Sequence, residues 1–388
     1  MKAEPMSYRV GMLLTEMMTD GNPTVVLDHG TASIKAGLAG QFKPHVFLPT
    51  LVGRPAFPQH QSIDVCCGEK ALKNWRELKI TYPIVESTIT DWDDMEVIWN
   101  HIFHEELKIQ PDEHTYLLTE RPRNPRQARE KTAEIFFEKF GAQAIYLAIE
   151  SVLSLYTSGR TVGMVLNCGE GASHAVPVYE GYALPLSWKK VSVAGTHLTD
   201  YLITLLEKKG HSFKSPVERE IAGRIKEEMC YVAMDVQQEM EAAPTNWLLP
   251  QKYVLPNGDT IKVDHERYQV PEPLFHPPIL DIMDEGLPEA VVTCAKRCDV
   301  DIRDTFYKNV VLTGGGSQFP GMAARMQSEL EAITPSNTKI RVLDPKYRGH
   351  AVWLGGSIMG SLSTFKSICV NRQQYKEYGP EIIHQKCF

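Results

Sequence analysis

The segments VVLDHGTASIK (25–35) and VGMVLNCGEGASH (162–174) start about 140 residues apart and follow one pattern. Each runs from a buried-looking strand to an acidic or amide residue, then X-Gly, then a second short strand. A repeat at that distance constrains the chain to two similar half-domains facing each other, because a solenoid array would repeat far sooner. A cleft between two such halves is the default ligand site. The copies differ in one telling way: the acidic residue that ends the first strand, Asp28, has become Asn167 in the second.

The length agrees with two cores, since 388 residues with 43% hydrophobic and 23% charged side chains suit a globular chain of two domains. A formal charge of -7 with scattered basic residues gives no electrostatic footprint for nucleic acid. The eight cysteines fit neither a disulfide framework nor a zinc pattern, and read as reduced thiols of a cytosolic or nuclear protein. No apolar run approaches the ~20 residues that span a bilayer, and the apolar stretch near the N-terminus is too short for a secretory signal. In that leader Val10, Leu13, Leu14, Met17 and Met18 fall on one stripe of a helix. The stripe reads either as a docking helix for a partner groove or as chance patterning.

After Pro23, short β-branched runs alternate with helical periods, which predicts an α/β fold. Core strands are expected at TVVLD (24–28), TYLLT (115–119), AIYLAI (144–149), VGMVLN (162–167) and NVVLTGGG (309–316). Ser215-Pro216-Val217-Glu218 combines an N-cap, a first-turn proline and a capping-box glutamate, and predicts a helix to about Val232. Asn257-Gly258 predicts a hairpin turn with positive φ at both residues.

The first glycine turn offers a carboxylate (Asp28) for a hydrated Mg²⁺, a hydroxyl (Thr31), the turn amides from Gly30 to Ala32, and an ammonium (Lys35). Together these groups complement a polyphosphate with its metal. Gly169-Glu170-Gly171 supplies a second set of amides. A third turn, Gly314-Gly315-Gly316-Ser317, precedes a helix expected to open at Pro320, where bare backbone could approach a nucleotide. Taken singly, each cluster also reads as an ordinary structural turn. A P-loop, a dinucleotide fingerprint, a kinase catalytic loop and a G-x-S-x-G elbow are all absent.

Longer stretches then carry a family likeness. YPIVESTITDWDDMEVIW (82–99), SVLSLYTSGRTVGMVLNCGEG (151–171), PVYEGYALP (177–185), VWLGGSIMGSLSTF (352–365) and the terminal KCF resemble actin and the actin-related proteins, from about Thr24 to Phe388. The resemblance implies the fold shared with sugar kinases and the heat-shock chaperone ATPase, with ATP or ADP and Mg²⁺ in the cleft. It implies an extension at 1–23, a first lobe from 24–157 and 350–388, and a second lobe at 158–349. Asp28, Gly30, Thr31 and Lys35 match the first phosphate loop, with Ala32 in place of a glycine and Asp28 as the water-mediated metal contact. Gly169, Glu170 and Gly171 match the second loop, with glutamate for aspartate. Gly195, Lys226 and Glu227 match the ribose and base contacts, as do Gly314, Gly315, Gly316, Ser317 and Phe319. Gly223 and Gly349 stand where actin has basic residues near the base.

Glu150, Asn167 and His174 match the positions that orient and polarise the attacking water. The carboxylate of that set has moved from one strand to another, and in-line attack on a γ-phosphoryl depends on where it sits. The expectation is slow or absent hydrolysis, with Glu150 serving as a base as the alternative. The loop between Gly53 and Tyr82 is a few residues shorter than in actin, Glu86 replaces a histidine, and the plug segment FHPPILDIMDEG (275–286) carries Asp281 and Asp284. Burying an unpaired carboxylate is costly, so long homopolymers are not expected. The chain thus reads as a divergent actin-like subunit of a cytoskeletal, ciliary or chromatin assembly. Its partners would be other actin-like subunits or actin-binding proteins. A filament-forming ATPase is the alternative, and a small-molecule kinase of the same fold a remoter one.

Overall fold

The computed structural model of the chain describes residues 22–56, 64–242 and 250–387. The leader stripe Val10, Leu13, Leu14, Met17 and Met18 lies outside these residues, as does much of the shortened loop, at 57–63. The strands used below are β1 (Val25–His29), β2 (Ser33–Leu38), β3 (Val46–Pro49), β4 (Thr115–Glu120), β5 (Ala144–Ile149), β6 (Gly163–Cys168), β7 (Ser173–Tyr179), β8 (Lys189–Val191), β9 (Val310–Thr313), β10 (Val342–Leu343) and β11 (Val370–Asn371). The helices are α1 (Glu150–Thr157), α2 (Gly195–Lys208), α3 (Pro216–Met229), α4 (Met322–Ile333) and α5 (Ala351–Gly360). The chain divides into two compact units, Met1–Thr161 with Val178–Pro185 and His350–Phe388, and Val162–Pro177 with Leu186–Gly349.

The first unit is built on a sheet of order β11-β5-β4-β1-β2-β3. β1 runs parallel to β4 and antiparallel to β2, and β4 runs parallel to β5. β1 and β4 are buried at every position, as parallel strands covered on both faces must be, which is why their sequences read as unbroken apolar runs. Val25 and Leu27 face a cluster in which Trp99, Phe103, Tyr116 and Phe136 pack edge to face. Val26 faces the other way, toward Leu117, Leu153 and Trp353. Trp353 donates its indole N–H to the Val26 carbonyl at 3.1 Å. A side chain at Gly355 would put its Cβ 1.9 Å from the Leu153 carbonyl oxygen, so the glycine of the VWLGGS motif is what lets α5 close on α1.

In the second unit the sheet runs β7-β6-β9-β10, with β8 on the outer side of β7. β6 is parallel to β9, and β9 to β10. Strand for strand, β10-β9-β6-β7-β8 repeats β5-β4-β1-β2-β3, so the repeated motif extends to a repeated sheet. All eight cysteines are buried and free, and burial pushes thiols such as Cys168 up to about 12. No described helix is long and apolar enough to cross a membrane.

Several local expectations need correction. α3 has its capping box, with Ser215 Oγ accepting from Glu218 N at 3.2 Å and Glu218 Oε2 accepting from Ser215 N at 2.7 Å. It stops at Met229 instead of Val232, because Cys230 is extended and Tyr231 N turns to the Arg267 carbonyl at 2.8 Å. The hairpin around Asn257-Gly258 forms, but of that pair only Gly258 has positive φ (+89°). Pro256 and Asn257 form the middle of a turn in which Gly258 N donates to the Leu255 carbonyl at 2.9 Å, a turn-plus-bulge solution. α4 opens at Met322 after a left-handed Gly321 (φ 86°), two residues beyond Pro320, whose carbonyl is taken by Val232 N at 2.8 Å.

Asp284 is not an unpaired buried carboxylate. It accepts from Lys189 Nζ at 3.1 Å, Ser192 Oγ at 2.5 Å and Glu285 N at 2.8 Å. Burial pushes its pKa upward, yet these three donors together hold it below the ordinary value. Asp281 is exposed, in a left-handed conformation (φ 58°).

The second unit does contain a buried charge centre at Arg325. Its guanidinium meets Glu272 at 3.1 Å and Glu329 at 2.6 Å, donates to the Ala233 carbonyl at 2.7 Å, and stacks over Phe275. Removing one partner of a buried pair leaves the other charge uncompensated, at about 3–5 kcal/mol. Arg325→Met is therefore expected to destabilise by about that much in denaturant unfolding. Arg325→Met/Glu272→Leu should recover part of the loss.

Candidate functional site

Each copy of the repeated turn closes through one glycine. A Cβ at Gly30 would stand 2.6 Å from the Ser33 carbonyl oxygen, and one at Gly169 would stand 2.7 Å from the Ala172 carbonyl oxygen. In both cases the obstacle is backbone three residues on, which no rotamer change can clear. The bare-backbone turns inferred from sequence are therefore required by the local geometry.

In the first unit the turn presents Asp28 at the end of β1. Thr119, at the matching end of β4, donates Oγ1–H to Asp28 Oδ1 at 3.1 Å, and Lys35 from β2 reaches Asp28 Oδ2 at 3.2 Å. Thr119 Oγ1 also accepts from His29 N at 2.9 Å. His29 lies beneath the turn, with Trp99 Nε1–H donating to its Nε2 at 3.0 Å and the Thr119 carbonyl 3.3 Å from its Nδ1. That pattern assigns the proton to Nδ1 of a neutral ring, and burial lowers the pKa of the imidazole. Thr50 Oγ1 donates to the Gly30 carbonyl at 2.7 Å, and Thr31 Oγ1 accepts from Ser87 N at 3.1 Å. The sequence reading missed Thr119, Trp99 and Thr50. Thr119 had a legible signal, a hydroxyl residue ending the parallel strand beside Asp28.

Glu150 is the first residue of α1, buried at the β5–α1 junction. With His29, Thr119, Glu120, Arg121 and Asn124 it lines a cavity of about 30 Å³ within the first unit, room for a water molecule or two. Burial pushes the Glu120 carboxyl above its ordinary value, although Arg129 pairs with it at 3.0 Å.

The second unit gathers the other expected residues. Gly195 N donates to the Gly169 carbonyl at 3.0 Å, and Thr196 N to the Glu170 carbonyl at 2.8 Å, so the turn is tied to the start of α2. Lys226 from α3 meets Glu170 Oε2 at 2.8 Å. Gly314 has φ 86°, and a Cβ there would lie 2.5 Å from Asn167 Oδ1, which brings the third turn against the end of β6. Ser317 Oγ donates to the Gly314 carbonyl at 2.6 Å, while the Arg348 carbonyl accepts from Gly314 N at 3.0 Å. A Cβ at Gly315 would meet no atom within 4 Å, so that backbone faces open space. Gly171 and Phe319 are buried, and Glu227 is exposed. His174 is buried with its ring against Trp188, centroids 5.5 Å apart. Gly223 has open space at its Cα, and Gly349 is covered by the Gln318 side chain.

These groups fit a polyphosphate and a hydrated cation. Turn backbone free of Cβ, an ammonium beside a carboxylate, and a carboxylate oriented by a hydroxyl are the donors and acceptors such a ligand takes. The sequence profile of the Actin family matches residues 19–388. Members of that family generally bind a nucleotide with Mg²⁺ and interact with other actin-like or actin-binding proteins. The match runs over essentially the whole chain and agrees with its mixed α/β architecture: the protein belongs to the actin family and has an actin-like fold.

Proposed function

We propose that the chain binds Mg-ATP or Mg-ADP as a structural and regulatory ligand and acts as a subunit of a cytoskeletal or ciliary assembly, in the cytoplasm, with slow or no hydrolysis. The observation that carries the reading is the pair of turns at Gly30 and Gly169, which share one steric requirement in two repeats of one sheet. Asp28, oriented by Thr119 and Lys35, would hold a water of the metal's shell. Gly30, Thr31, Ala32 and Lys35 would take phosphate from the first unit, and Gly169, Glu170 and Gly171 from the second. Gly195, Glu227, Gly314, Gly315, Gly316, Ser317 and Phe319 would surround the sugar and base. A ligand that binds the folded chain and not the unfolded one stabilises the fold by linkage.

Slow hydrolysis is supported by the side chains available for the water. Asn167 cannot accept a proton, His174 is packed against Trp188, and Glu150 is fixed at a helix start beside a small cavity that also contains Glu120. General-base catalysis requires a basic group within reach of the water, in line with the γ-phosphoryl.

A second reading, a filament-forming ATPase, gains from the pairing of Asp284. With that carboxylate satisfied by Lys189 and Ser192, the desolvation argument against the plug segment loses its main term, and Ile279 and Met283 are exposed there (43% and 91%). The short loop still argues for a subunit that does not build long homopolymers. A chromatin-complex role has no observation of its own.

Three measurements test the shared nucleotide reading and then separate the two alternatives. Thermal melts with Mg-ATP at a hundred times Kd should show about 2.7 kcal/mol of added stability. Asp28→Ala should erase the difference between Mg²⁺ and chelator. In a phosphate-release assay the natural chain should turn over slowly, and Glu150→Gln/Asn167→Asp should be at least about a hundredfold faster, the low end of what general-base groups contribute; brisk turnover by the natural chain would overturn the assignment. Light scattering on adding Mg²⁺ and salt should stay flat for a single subunit, and a rise would favour the filament.

A further inference from the structure

Arg121, Arg123, Arg126 and Arg129 fall within nine residues, between the end of β4 and the helical segment that follows it. Arg129 is paired with Glu120, and Arg123 and Arg126 are exposed to water, where solvent and salt screen their charge. Arg121 differs from all three. It is partly buried, its Nε is enclosed without an acceptor, and among the described residues it forms no ion pair. An enclosed donor left unsatisfied costs free energy, so such a group calls for a partner close by.

Arg121 lines the cavity beside Glu150, and most polar groups around that cavity are already committed. His29 is held at its two ring nitrogens by Trp99 and the Thr119 carbonyl, and Thr132 Oγ1 donates to the Ala128 carbonyl at 2.9 Å. One oxygen of Glu120 accepts from Arg129 Nε at 3.0 Å and from Asn124 Nδ2 at 3.2 Å, and the other meets Arg129 Nη2 at 3.0 Å. Glu120 thus has a cation of its own. The second carboxylate on the wall is Glu150. With about 30 Å³ between the walls, one or two waters can span from a guanidinium to a carboxylate that it does not touch.

We propose that Arg121 is a positioning residue. Its guanidinium, through water in the cavity, holds Glu150 as the other half of an ion pair, and so withholds that carboxylate from the water that would attack a γ-phosphoryl. A carboxylate beside a fixed cation loses affinity for a proton, the property a general base needs. The inference rests on the reading of slow hydrolysis above and gives it a second cause, besides the amide at Asn167.

A double-mutant cycle in urea unfolding of the full chain tests the pair. Arg121→Met should lower the folded-to-unfolded ratio by about tenfold, the size of a hydrogen bond to a charged group. In the Glu150→Gln background the same change should cost much less, and Arg121→Lys should retain most of the natural stability. Arg121→Met should also raise phosphate release by about a hundredfold, the low end of what a general base contributes. Adding Glu150→Gln should abolish that gain, a dependence that loosened structure alone would not produce. The cycle needs no ligand, so its failure is distinguishable from failure of the nucleotide reading, which the melts with Mg-ATP register. Additive effects, or coupling of Arg121 to Glu120 in the matching cycle with Glu120→Gln, would overturn the pair. Coupling to Glu150 without the gain in turnover would overturn the withholding role.

Discussion

Two turns in this protein close only because one residue in each has no side chain. The backbone oxygens of Ser33 and Ala172 occupy the volumes that a Cβ on Gly30 or Gly169 would need. That exclusion sets the register in which β1 meets β2 and β6 enters β7, and with it where each strand end points. Asp28 reaches Lys35 and Thr119 because β2 and β4 flank β1 at that level. The buried strands supply most of the stabilising apolar area, but the turns determine which polar groups stand at their ends.

The two copies then distribute charge differently. In the first, the carboxylate sits at the strand end and is paired by a lysine from the neighbouring strand. In the second, the strand end carries neutral Asn167, with Gly314 against it, and the carboxylate of the copy stands in the turn itself, at Glu170, paired by Lys226 from a helix. A charged group at 167 would lie at a site 6% exposed with Gly314 against it, where an amide is cheaper to bury than an ion. The repeat therefore preserves backbone geometry and lets the position of its acid drift.

Much of this was legible in the sequence. Continuous apolar runs marked the buried strands, and proline, serine and glutamate at fixed offsets marked the start of α3. Its end was not legible, since Met229 is decided by a distant partner, the Arg267 carbonyl that takes Tyr231 N. The opening of α4 was misplaced for the same reason: the carbonyl of Pro320 is held by Val232. Asp284 looked unpaired in a linear reading because Lys189 and Ser192 lie about ninety residues away. Lys226 was found, but its surroundings were not: that three acceptors converge on its ammonium is a fact of packing between α2 and α3 that no spacing rule contains.

The surroundings of Glu150 show how such distant partners bear on chemistry. Glu120, another wall of its cavity, is held by Arg129, and the same guanidinium donates to the Cys387 carbonyl at 2.5 Å and lies 3.1 Å from His384 Nδ1. His384 is in turn 2.7 Å from Glu130. Thus the last turn of the chain helps fix one carboxylate of the cavity, while the start of α1 fixes the other. An anion at the first turn of a helix is also favoured by the helix dipole, which gives position 150 a structural reason to be acidic that owes nothing to catalysis.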